Sequence, residues 1–91
     1  MGFTKTVITI REKRQYFPRE DATKQEVWLC DIINKSGFSY ASFLAKEIYI
    51  TRQQMYNLMN GKSRISFPMV CAICYVTGLD DPKEVWHEIL N

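Results

Sequence analysis

The sequence is short of the residues that chemistry needs. Its 91 residues hold a single histidine, His87, with no serine, cysteine or carboxylate arrangement around it that would make it catalytic. It has four glycines and none of the phosphate-cradling glycine loops, and it shows no nucleophile–base pair. Enzymatic activity is therefore not expected, and neither is a cofactor. Three cysteines is an odd number, which argues against a disulfide framework and fits a reducing compartment. No apolar stretch approaches the roughly 20 residues that span a bilayer. The N-terminus lacks an apolar segment followed by a small-residue cleavage site, so a cytoplasmic location is expected. Repeats and low-complexity segments are absent.

Net charge is also scarce, at +2, but it is unevenly placed. Residues 1–20 carry five basic and two acidic side chains, and residues 39–66 carry four basic and one acidic. Residues 21–38 are nearly balanced, with two basic and three acidic, whereas residues 67–91 carry one basic and four acidic. A polyanion would be met by the first and third segments and avoided by the last. Hydrophobic residues make up 46% of the chain, enough for one folded domain with one core.

Residues 3–17 do not read as helix. The run Thr6-Val7-Ile8-Thr9-Ile10 and the pair Tyr16-Phe17 favour a strand, or a hairpin turning at residues 11–14. Such a ribbon is marginal alone, so residues 1–20 are expected to form an extension or arm that packs on the rest or pairs with another chain.

Residues 21–91 read as a helical domain. Thr23 with Glu26 is a capping-box pattern opening a helix to Lys35, with Val27, Trp28, Ile32 and Ile33 on its apolar face. Ser36-Gly37 stops it. Ser39 is placed to cap a second helix with Phe43, Leu44 and Ile48 inward. Thr51 with Gln54 repeats the capping box and opens a third, residues 52–60, with Met55, Leu58 and Met59 inward, ending at Asn60-Gly61. Ser66 caps a fourth, with Pro68 in its first turn and Gly78 at its end. A fifth opens at Asp81-Pro82 and carries Val85, Trp86, Ile89 and Leu90 on its apolar side.

The informative stretch is residues 43–64, FLAKEIYITRQQMYNLMNGKSR. Two short helices crossing steeply need a small residue where they touch, and Ala45 supplies it; Ile50 plugs the turn between them. The third helix then turns Arg52, Gln53, Tyr56, Asn57 and Asn60 outward, without one carboxylate. Amide, guanidinium and phenol groups make forked hydrogen bonds to base edges in the major groove. Lys62, Ser63 and Arg64 follow where phosphate oxygens would lie.

This pattern of Leu-Ala, a hydrophobe in the turn, a threonine cap and a helix closing in Asn-Gly-Lys resembles the Cro/repressor-type (XRE) helix-turn-helix of phage and mobile-element regulators, over about residues 23–90. The resemblance implies a mainly α fold, a five-helix repressor-like helix-turn-helix bundle, here with an N-terminal strand or hairpin extension. It implies base contacts from Arg52, Gln53 and Asn57, joined by Tyr56, and backbone contacts from Gln54, Lys62, Ser63 and Arg64. Tyr49 stands where the family usually has glycine in the turn, and residues 38–42 look one residue longer than usual, which makes Tyr40 and Ser42 the candidates for phosphate at the start of the second helix.

The function expected on this reading is a sequence-specific DNA-binding transcriptional regulator, a repressor acting on double-stranded DNA as a homodimer at an operator. Trp86, Ile89 and Leu90 on the last helix are one candidate dimer interface, and the N-terminal strand is another. The basic residues Lys5, Arg11, Lys13, Arg14 and Arg19 could instead lie along phosphates. A different class of reading is a protein-binding inhibitor or antirepressor that grips a partner regulator with the same fold; the N-terminal ribbon, Tyr49 and the acidic last quarter motivate it. The polar face of the third helix also has a plain reading, as a solvated surface. Cys71 and Cys74 have metal-ligand spacing, with Cys30 and His87 able to complete a set, but they fall in an apolar helix where cysteine is a small hydrophobe, so no metal is expected.

Overall fold

The computed structural model describes residues 15–38 and 40–90, and five α-helices organise them: α1 (Lys24–Lys35), α2 (Ala41–Glu47), α3 (Arg52–Met59), α4 (Phe67–Thr77) and α5 (Pro82–Leu90). No strand occurs among the described residues, and the strand or hairpin expected over residues 1–14 lies outside them. Both capping boxes form. The Thr51 hydroxyl accepts the Gln54 amide at 2.9 Å while the Gln54 side chain accepts the Thr51 amide at 2.7 Å, and Thr23 and Glu26 do the same for α1. Ser66 accepts the Met69 amide, Pro68 sits in the first turn of α4, and Asp81 accepts the Glu84 amide at the start of α5.

α2 begins differently from expectation. Its N-cap is Tyr40, which makes no side-chain cap, and Ser39 lies outside the described residues. The first amide of the helix, that of Ala41, is instead bound by the hydroxyl of Tyr16 at 2.9 Å. Tyr16 is buried, and its backbone is held at both ends by the Asn34 side chain, which accepts the Tyr16 amide at 2.9 Å and donates to its carbonyl at 2.8 Å. A seven-residue helix is too short to persist on propensity. A phenol reaching from the N-terminal segment thus supplies the cap that its own sequence lacks.

The α2–α3 connection is a Schellman motif. The Ile50 amide donates to the Ala45 carbonyl at 3.0 Å and the Tyr49 amide to Lys46 at 3.3 Å, which forces the residue between Ile48 and Ile50 into the left-handed region. That residue is Tyr49, with φ of 63°. The same motif closes α3, where the Lys62 amide reaches the Asn57 carbonyl at 2.9 Å, and there the left-handed residue is Gly61 with φ of 78°. Geometry, not residue type, dictates the first turn, and the tyrosine carries strain that a glycine would not.

Leu29, Ile32, Ile33, Leu44, Met55, Val70 and Ile73 fill the centre of the core, with Ala41 and Ala45 fully buried where α2 meets its neighbours. Two residues expected inward face outward: Val27 is 46% exposed and Phe43 is 50% exposed. Leu29 and Cys30 take the inward places on α1 instead, because the Gln25–Leu29–Ile32 row of the helix, and not the Val27 row, faces α3 and the loop after it. Ile48, Ile50, Met55, Leu58 and Met59 lie as expected, buried or packed against the core.

Candidate nucleic-acid interface

α3 is seated by Met55, Leu58 and Met59, all buried against α1 and α2. That fixes which way the rest of the helix points. Arg52, Gln53, Gln54 and Asn60 are exposed, and Tyr56 and Asn57 are half-buried on the flank. Of the residues expected to read bases, Gln53 and Asn57 are brought into one pair: Gln53 Nε2 donates to Asn57 Oδ1 at 3.0 Å. The pair uses one donor and one acceptor and leaves the remaining amide groups free to face a ligand. Arg52 has no ion-pair partner among the described residues. Gln54, expected at a backbone-contacting position, spends its side-chain oxygen on the Thr51 cap.

Lys62, Ser63 and Arg64 are all exposed on the loop that follows α3. Tyr40 and Ser42 are half-buried at the start of α2, and the Tyr40 ring packs edge-on to Phe43 with centroids 5.5 Å apart. The electrostatics of the face are one-sided, because the chain carries no carboxylate between Glu47 and Asp80.

Two polar residues hold this surface in place: Gln25, which sequence reasoning left unassigned, and Glu26, which it read only as half of the α1 capping box. Gln25 is buried, and its Nε2 donates to the Leu58 carbonyl at 2.9 Å and to the Ser63 carbonyl at 2.8 Å, while its Oε1 accepts the Ile65 amide at 2.9 Å. One amide thus ties the end of α3 to both sides of the Lys62–Arg64 loop. Next to it Glu26, 1% exposed, accepts from Thr23 and pairs with Arg19 at 2.7 Å. The Thr23 amide and the Arg19 guanidinium hold the Glu26 carboxyl below the ordinary carboxylate value. Its carboxylate also lies where a Cβ on Gly61 would meet it at 2.7 Å, so Gly61 is required twice, for its φ and for the space. The signal was present in the sequence: Gln25 falls one turn before Leu29, in line with the buried row.

Arg19 is therefore not free to act as part of a basic arm; its charge is matched by Glu26. Of the candidate dimer residues, Trp86 and Ile89 pack against the core, Trp86 with its ring 5.6 Å from that of Phe67, and only Leu90 is largely exposed, at 63%. Cys30 and Cys74 are buried and Cys71 half-buried. Burial pushes the Cys74 thiol up to about 11 and raises that of Cys30 as well, the behaviour of packed thiols. No group of three or more His, Cys, Asp or Glu side chains among the described residues is placed to hold a metal ion, and no helix among them is long and apolar enough to cross a membrane. Comparison with known protein families, with curated proteins and with solved structures returns no match for this chain.

Proposed function

We propose that α2, its Schellman turn and α3 form a helix-turn-helix of the Cro/repressor type, that α3 enters the major groove of double-stranded DNA, and that the protein is a sequence-specific transcriptional regulator without enzymatic activity. The observation that carries the reading is the outward face of α3: Arg52, the hydrogen-bonded pair Gln53–Asn57 and Asn60, with no carboxylate, on a helix whose opposite side is fully packed. Paired amides and a guanidinium match the donor and acceptor edges of purines. Lys62, Ser63 and Arg64 then fall at phosphates, and Gln25 sets the distance between them and α3. One eight-residue helix reads few base pairs, so the regulator acts as a homodimer on a two-fold operator, with the exposed Leu90 end of α5 as the contact between copies.

Selection from random double-stranded DNA, followed by mobility shifts on the enriched sequence, tests the reading. A two-fold-symmetric motif is expected, and Gln53→Ala or Asn57→Ala should weaken binding to it by about 1–3 kcal/mol while leaving non-specific binding nearly unchanged. No shift with any DNA at low salt would overturn it.

A second reading, a protein-binding inhibitor or antirepressor, rests on exposed aromatic surface. Tyr49 is 94% exposed and Phe17 82% exposed, neither gaining anything from the fold, and aromatic residues are enriched where proteins meet. Capture of one stoichiometric protein partner, lost in Tyr49→Gly, with no DNA shift, would favour it.

A further inference from the structure

A groove separate from the α3 face runs between α1 and α5. Its floor is apolar, made by Trp28, Val85 and Ile89. Its rim is acidic: Asp80, Asp81, Glu84 and Glu88 all border it. Asp80 accepts a hydrogen bond from the Trp28 indole at 2.9 Å, which fixes the ring across the floor. Asp81, Glu84 and Glu88 are exposed and have no ion-pair partner among the described residues, and Lys24 is the single cation on the lining. This is where the negative charge of the last quarter of the chain is gathered.

The matching chemistry lies in the same chain. Residues 1–14 carry Lys5, Arg11, Lys13 and Arg14 against one acid, Glu12, and the apolar Val7, Ile8 and Ile10 lie between Lys5 and Arg11. A segment in which cations flank a β-branched apolar run fits a groove with an acidic rim and an apolar floor. It is also tethered nearby. Tyr16 is pinned to Asn34, and Trp28 lies six residues earlier on the same helix, about 9 Å along its axis. Fourteen residues reach at most about 50 Å, several times that distance. A tether this short holds the segment at a millimolar effective concentration over the groove, far above any free partner.

We propose that the α1–α5 groove is the docking site for the chain's own basic N-terminal segment, residues 1–14, with its lysines and arginines on Asp81, Glu84 and Glu88 and its apolar residues over Trp28. Docking neutralises the segment's cations on a face remote in sequence from α3 and covers the acidic rim of the groove. The proposal does not depend on DNA binding.

Zero-length carbodiimide cross-linking of the full chain at dilute concentration, mapped by mass spectrometry, tests it. Lys5 or Lys13 should be joined to Asp81, Glu84 or Glu88 within the monomer band, alongside the Lys35–Asp31 link expected from their 3.0 Å ion pair as an internal control. In the double variant Glu84→Gln/Glu88→Gln, whose side chains are exposed so that helix content should be unchanged, the yield of groove links should fall at least tenfold while the control link persists. The control link without any link from Lys5 or Lys13 to the groove would overturn the proposal. So would groove links confined to a cross-linked dimer, which would place the segment of one copy on another.

Discussion

Replacing Gln25 with alanine tests how much of the α3 surface depends on one buried amide. The substitution removes three hydrogen bonds, to the Leu58 carbonyl, the Ser63 carbonyl and the Ile65 amide. Their fates differ. Ser63 is exposed and water can replace the lost donor at its carbonyl. The Leu58 carbonyl keeps the Gly61 amide at 3.4 Å, whereas the Ile65 amide, on a residue 5% exposed, is left without a partner. A buried polar group stripped of its partner loses about 1–3 kcal/mol, which sets the expected destabilisation. Urea unfolding followed by circular dichroism reads this as a midpoint lower by about 1–2 M at unchanged slope. Gln25→Glu separates hydrogen bonding from shape. The carboxylate can still accept the Ile65 amide, but it faces two carbonyl oxygens where the amide donated, and only its protonated form can donate to one of them. Its folded-state pKa is therefore raised, and its stability is greatest below the ordinary carboxylate value and lost as pH rises through the folded value. Lys46→Ala, on an exposed position, is the control. A Gln25→Ala midpoint within error of that control would refute the reasoning.

Tyr49→Gly removes the left-handed strain at φ 63° from a side chain that is 94% exposed, and thermal melts should show a gain of about 1 kcal/mol, whereas Tyr49→Phe should show none. Glu26, held below its ordinary value of 4.5 by the Thr23 amide and Arg19, contributes stability that is fully present above that value and lost as pH falls through the folded one; urea midpoints measured from pH 7 downward should fall less steeply in Glu26→Gln than in the parent chain. With burial holding the Cys74 thiol at about 11 and raising that of Cys30, iodoacetamide at pH 8 should modify both at rates limited by unfolding, read by mass spectrometry with and without urea. If Lys62 and Arg64 meet phosphates, replacing either with alanine should reduce the slope of log affinity against log salt by about one, without changing the preferred sequence.

What the sequence made legible was local. Thr23, Thr51 and Ser66 announce their helices because a capping hydroxyl acts on amides two or three residues away, and the Met55–Leu58–Met59 spacing announces which side of α3 is buried. The polar face of α3 follows from that spacing by exclusion. What stayed hidden depended on contacts distant in sequence. The cap on α2 comes from Tyr16, twenty-five residues from Ala41, and nothing near Ala41 hints at it. Gln25 shows in the sequence only as a polar residue in line with the buried row, and its partners at 58–65, like the Arg19 that pairs with the capping-box Glu26, are brought up only by the fold. Val27 and Phe43 misled for the opposite reason: apolar residues at a plausible spacing are assigned inward by default, yet α1 turns Leu29 and Cys30 toward the core and α2 turns Ala41, Leu44 and Ala45.

The two Schellman turns on either side of α3 bear differently on its placement. At the far end Gly61 fits its left-handed geometry without strain, and Glu26 and Gln25 fasten the loop from beneath, so the end of α3 that leads into Lys62 and Arg64 is rigidly held. At the near end Tyr49 adopts the same geometry against its preference and is fastened by nothing but the two backbone bonds of the turn and the plug of Ile50. A strained residue persists only where its surroundings over-determine it. The surroundings that hold it are Ala45, 1% exposed, whose carbonyl accepts the Ile50 amide, and the packing of α2 on α3. Tyr49→Gly should therefore stabilise the protein without moving α3, whereas enlarging Ala45 to valine should move α3 and cost stability even though it leaves every capping bond in place. The orientation of the proposed reading helix is thus set by a methyl group and an amide, Ala45 and Gln25, more than by any residue on its exposed face.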